Sequence, residues 1–140
     1  MRFLIAFVAG FLATLIFHQG AIALLHGAGV IPIAPYPLQP TWPFGVPQVV
    51  SLAFWGGVWG LVLWPVIRNA RGLKYWGTCI LVGAVGPTAV AMLVVFPLKG
   101  IPVDAVKIVG GLVLNGIWGF GTGLLILSYF VAKGWLRRPA

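Results

Sequence analysis

The chain has 140 residues, of which 61% are hydrophobic and 7% charged, with a formal net charge of +8 and a mean hydropathy of +1.07. A soluble domain carries about 25% charged residues, so a water-solvated globule is excluded and lipid is the expected solvent. Four apolar blocks, about residues 3–25, 47–67, 76–97 and 104–132, each reach the roughly 20 residues that a spanning helix needs. They predict a single all-α transmembrane domain over 1–140, a four-helix bundle. The blocks are too long and unbroken for barrel strands, which alternate in polarity over about ten residues.

Arg2 precedes the first block, which carries Ala6, Gly10 and Thr14 at i, i+4 spacing. Its start resembles a signal peptide, with Ala21-Ile22-Ala23 as a cleavage-like site, but it reads as a retained first helix. His18 and Gln19 interrupt it two turns before its outer end, and His26 follows. Ionisable groups inside a membrane are functional candidates by default; the plainer role is a hydrogen bond to a neighbouring helix. The i+4 row from Gly10 and Thr14 predicts that His18 faces other helices, within side-chain reach of the fourth. Eight helical residues rise about 12 Å, so His18 and His26 cannot both ligate one haem iron within one chain.

Residues 26–46 follow as a loop with Pro32, Pro35, Pro37, Pro40 and Pro43, together with Tyr36, Trp42 and Phe44, and no Lys, Arg, Asp or Glu. Proline removes a donor and fixes φ, so no regular helix forms here. The segment is too apolar for a solvated linker. It predicts an ordered, extended cap on the outer surface, with its aromatics at headgroup level, serving either as a stiff connector or as a docking surface or lid over an outer-side site.

The second block carries Gly56 with Gly60, and Ala53 with Gly57. A basic turn follows, with Arg68, Arg71 and Lys74. In the third block Gly86-Pro87 predicts a bend. The lone Cys79 excludes an internal disulfide and thiolate metal sites. Asp104, the only acid, stands where a carboxylate caps the start of the fourth block. Lys107 lies one turn in, able to snorkel outward. Gly111, Asn115, Gly119 and Gly123 follow at i, i+4 spacing. Small residues let membrane helices approach closely, and Asn115 predicts a bond to a neighbouring helix. Trp64, Trp76 and Trp135 fit an aromatic belt. Trp55, Trp59 and Trp118 lie deeper beside glycines, as large-into-small packing or as contacts for a bound ring such as a quinone, sterol, haem or chlorophyll.

Two weak internal echoes appear. Gly45-Val46-Pro47 matches Gly100-Ile101-Pro102, and Gly57-Val58-Trp59-Gly60 matches Gly116-Ile117-Trp118-Gly119. They predict a parallel repeat of two helices each, although the first and third blocks show no convincing match.

Seven of the nine cations (Arg2, Arg68, Arg71, Lys74, Lys133, Arg137, Arg138) fall on one side. The positive-inside rule makes that side cytoplasmic, with both termini inside, as in a bacterial inner membrane. The charge is thus no nucleic-acid signature; the partners expected are the lipid bilayer and other membrane subunits or further copies of the chain. The expected function is that of a small accessory or assembly subunit. The alternative is an oligomeric transporter or channel with a polar site at His18, Asn115 and Lys107. No carboxylate pair, activated nucleophile or phosphate loop points to an enzyme, no metal site is expected, and a cofactor is left unassigned. Any ligand site falls among His18, Gln19, His26, Asp104, Lys107 and Asn115.

Overall fold

The computed structural model describes residues 1–134; Trp135, Arg137 and Arg138 lie outside the described residues. Four helices are long and apolar enough to cross a membrane: α1 Arg2–Gly27, α2 Gln48–Ile67, α3 Gly72–Leu98 and α4 Ala105–Ala132. Between α1 and α2 a two-residue ribbon, β1 Pro40–Thr41 and β2 Val46–Pro47, pairs antiparallel. The helices alternate in direction, so Met1, the turn at Arg68–Arg71 and Lys133 share a basic end, and the Pro-rich loop, Lys99 and Asp104 share a loop end. The chain is an all-α membrane bundle.

α1 packs on α2, α3 on α4, and α4 returns onto α1, with a thinner α2–α3 seam. The two pairs share their closest crossings. A Cβ on Gly60 would lie 2.2 Å from the Ala6 carbonyl oxygen, and one on Gly119 would lie 2.2 Å from the Cys79 carbonyl oxygen. A Cβ on Gly10 would meet Gly56, and one on Gly83 would meet Gly119 and Asn115. At the next position the pairs differ: a Cβ on Gly57 would clash with Phe7 at 2.6 Å, whereas one on Gly116 would rest on Ala84 at 3.5 Å and Ile80 at 3.8 Å. The matched positions are offset by 73 residues on the first helices (6 to 79, 10 to 83) and by 59 on the second (56 to 115, 60 to 119). The first and third helices therefore do correspond. The sequence hides it because only Gly10 and Gly83 match in identity, whereas Ala6 is answered by Cys79 in packing role alone. Glycines at these crossings bring the backbones together, which is how helices gain packing energy when lipid offers no hydrophobic drive.

The tryptophans join the pairs. Trp118 of α4 reaches α1, where its indole Nε1 donates to the Gly10 carbonyl at 2.9 Å. Trp59 of α2 reaches α3, where its ring lies against Gly86. Trp55, grouped with these two on sequence, instead faces outward at 58% exposure. The i, i+4 glycine spacing places Gly56 and Gly60 against α1, and Trp55 lies off that face. Trp64, one turn from the basic end, is buried within the bundle and stacked on Phe130 with ring centroids 5.5 Å apart.

The main apolar core sits toward the basic end, among Ala6, Ala9, Leu63, Trp64, Ile67, Tyr75, Cys79, Ile126 and Phe130. At the loop end the pairs diverge. Gln19, Ile22 and Val49 are buried in the first, whereas no residue of 91–98 or 105–115 is buried in the second. α1 and α3 each contain a π-helical segment, Thr14–His18 and Ala91–Val95. α3 keeps its helical course through Pro87, and its π segment begins four residues later. Both helices end alike, with a left-handed glycine (Gly29, φ 72°; Gly100, φ 67°) followed by an amide that reaches back five residues, Val30 to Leu25 and Ile101 to Phe96. That is the glycine termination expected when orphan carbonyls need donors.

Candidate functional site

The helix start at Gln48 has no capping side chain, because Pro47 precedes it. The first amides of a helix have no partner within it, and at a membrane boundary that is costly. The Pro-rich loop supplies the acceptors: Gln48 N–H donates to the Gln39 carbonyl and Val49 N–H to the Pro37 carbonyl, both at 2.9 Å. The loop is thus a backbone cap for α2. Its ribbon is closed by Gly45 N–H to the Thr41 carbonyl at 2.8 Å and by the Thr41 hydroxyl to the Val46 carbonyl at 2.7 Å.

Tyr36 fastens the same loop to α1. Its amide donates to Gln19 Oε1 at 2.7 Å and its hydroxyl to the Leu15 carbonyl at 2.9 Å, inside the first π segment. Tyr36 is the one non-glycine residue with positive φ among those described, at 52°. Such a conformation costs about 1–3 kcal/mol and persists where the surroundings impose it; here the two bonds do so. Gln19 is 1% exposed, so an uncovered amide there would be expensive, and the Tyr36 amide answers its oxygen. In the sequence Gln19 stands out as a polar break, whereas Tyr36 stands out only as a loop aromatic and its bonds to α1 do not show. The available signal was a lone tyrosine between Pro35 and Pro37, the one residue of that triplet with an amide to donate. His26 closes the start of the loop, its Nδ1 lying 3.2 Å from the Ile31 carbonyl.

The remaining candidates lie apart from this cap. Asn115 donates to the Thr88 hydroxyl at 2.9 Å, a bond between α4 and α3, and a Cβ on Gly111 would meet Thr88 on the same seam. Gly123 packs on Cys79, and its carbonyl accepts from the Tyr75 hydroxyl at 2.8 Å. Asp104 accepts from the Lys107 amide at 2.8 Å and forms an ion pair with Lys107 Nζ. Those contacts, the side-chain bond first, hold its carboxyl below the usual carboxylate range. Lys107 therefore turns back to Asp104. No hydrogen bond among the described residues joins Gln19, Asn115 and Lys107 into one polar site.

His18 is distinct. Its Nδ1 is buried and has no hydrogen-bond partner among the described residues. The π segment widens the turn that carries it, so the i+4 row from Gly10 and Thr14 does not run straight through to it. Both upstream members of that row have direct contacts: the Thr14 hydroxyl donates to the Gly10 carbonyl at 3.0 Å, and Gly10 accepts Trp118. No group of three or more metal-ligating side chains occurs among the described residues.

The arrangement defines a class: a four-helix membrane protein with glycine-packed helix pairs and one hydrogen-bonded apolar cap at its loop end. Compared with known proteins, the chain matches no family model, no curated protein and no solved structure.

Proposed function

We propose that this chain is a small accessory or assembly subunit of a larger membrane complex, offering partners the Pro-rich cap and its outward helix faces. The observation that carries this reading is the cap itself. Two backbone bonds to α2 and two Tyr36 bonds to α1 hold it, yet Val30, Ile33 and Leu38 on it stay exposed. Ordering a segment costs about 1–2 kcal/mol per residue in backbone entropy. A surface that is already ordered, apolar and uncharged suits protein contact, because the ordering cost is not met again on binding. The charge distribution supports cytoplasmic termini and an outward cap, as in a bacterial inner membrane.

Purification of tagged chain from its native membranes in mild detergent tests the proposal. Stoichiometric, different membrane subunits in one particle are expected. A lone homo-oligomer that moves a solute across liposomes, and loses that flux in His18→Ala, contradicts it.

A further inference from the structure

The most exposed large side chains of the cap are at its tip, where Trp42 is 93% and Phe44 88% exposed. They lie in the four-residue turn between β1 and β2, and no Lys, Arg, Asp or Glu occurs anywhere between His26 and Arg68. β2 runs straight into α2 at Gln48. α2 has 20 residues, which at 1.5 Å each is about 30 Å, the thickness of the hydrocarbon core of a bilayer. A helix of that length spans the core only with its first turn at the edge, which sets the hydrocarbon boundary at about Val46–Pro47.

The pairing of Thr41 with Val46 then fixes the depth of the tip. Trp42 is one residue beyond Thr41 and Phe44 two residues from Val46. Consecutive Cα atoms are about 3.8 Å apart and paired strands about 5 Å. Both aromatic residues thus stand within roughly 10 Å of the boundary, a distance set by those spacings. Val50, Phe54 and Trp55, in the first eight residues of α2, are exposed and apolar as well.

We propose that Trp42 and Phe44 are seated in the lipid headgroup layer at the loop end, making the cap a membrane-interface anchor. The occupant fits by chemistry. Tryptophan concentrates at this level because its ring is apolar and its N–H still finds a polar partner, and the absence of charge means nothing ionic is desolvated there. The anchor fixes the height of the cap while leaving Val30, Ile33 and Leu38 to face elsewhere. It does not depend on the accessory-subunit reading, since lipid is present with or without a partner.

The test uses the full chain in phosphatidylcholine vesicles. Cys79 is fully buried, so a thiol-reactive NBD dye reports an introduced Trp42→Cys. Phe44→Cys serves as a second variant and Lys74→Cys, in the basic turn, as an aqueous reference. The dye at 42 and at 44 is expected to emit blue-shifted relative to 74. Its emission should be lost most to lipids carrying a nitroxide on the headgroup, less to a deep acyl-chain nitroxide, and least to iodide present on both sides. Iodide quenching equal to that at 74 places the tip in water and overturns the proposal. Strongest quenching by the deep nitroxide, or protection from all three quenchers (the result of coverage by protein), overturns it as well.

Discussion

Helices α2 and α4 both begin at the loop end, and each must satisfy its first amides there. α4 does so with one side chain, Asp104, after a connection of six residues. α2 does so with carbonyls of a 20-residue loop that folds back onto it and onto α1. Below this level the two pairs cross alike, with Ala6–Gly60 answered by Cys79–Gly119 and Gly10–Gly56 by Gly83–Asn115. Two nearly equal scaffolds therefore carry unequal ends. The shared part builds the bundle, and the unshared part is where a specific role is to be sought. The long loop does more than connect, since a carboxylate and a short turn suffice in the other pair.

The sharpest break in the likeness would come from a side chain at a matched crossing. Gly60→Leu and Gly119→Leu should each destabilise by about 1–3 kcal/mol or more, the cost of overpacking, because backbone carbonyls stand where the Cβ must go. Gly110→Leu, with nothing within 4 Å, should change little. Unfolding midpoints in detergent check all three; similar losses at 60, 119 and 110 would deny that the crossings are the packing points.

Next in size is the cap. Tyr36→Phe removes the bond to Leu15 and should cost about 0.5–1.5 kcal/mol, the net worth of one hydrogen bond. It should also raise hydrogen exchange at Gln48 and Val49, whose amides the loop covers. Unchanged exchange there would separate the tyrosine from the cap. Asn115→Leu removes only the α4–α3 bond to Thr88, and intramembrane bonds of this kind average about 0.6 kcal/mol. Its unfolding midpoint should fall less than that of Gly119→Leu.

The smallest effect belongs to Asp104. Its carboxyl is held below its ordinary value by Lys107, so its folded pKa lies under its unfolded one. The contribution is complete above the unfolded pKa of about 3.9 and disappears as pH falls through the folded value. Stability followed from pH 7 to pH 3 should decline slightly more in the wild type than in Asp104→Asn. Parallel curves would remove the cap from the account.

Much of this was legible in the residues. The four spans follow from apolar length, and Gly56, Gly60, Gly111, Gly119 and Gly123 stand out because lipid-solvated helices pack through small side chains. The second-helix echo was visible because Gly and Trp recur in it. Its first-helix counterpart was not, because packing equivalence between Gly10 and Gly83 survives the replacement of their neighbours. Gln19 stood out as a polar break, whereas its partner did not. Tyr36 lies 17 residues away in a loop without periodicity, and its amide, not its side chain, makes the bond to Gln19. His18 stood out as an ionisable group within a span, whereas the π segment that carries it leaves no mark in composition.

The central claim is that the cap of the first pair, the part without a copy, is the surface through which the chain joins a larger complex. Native mass measurement of particles purified from membranes tests it most directly. Wild type is compared with the double substitution Ile33→Ser and Leu38→Ser, at exposed cap positions outside the hydrogen-bonded frame. Loss of the larger particle with the bundle still folded is predicted. An unchanged particle, or a wild-type chain that purifies without different subunits, would contradict it.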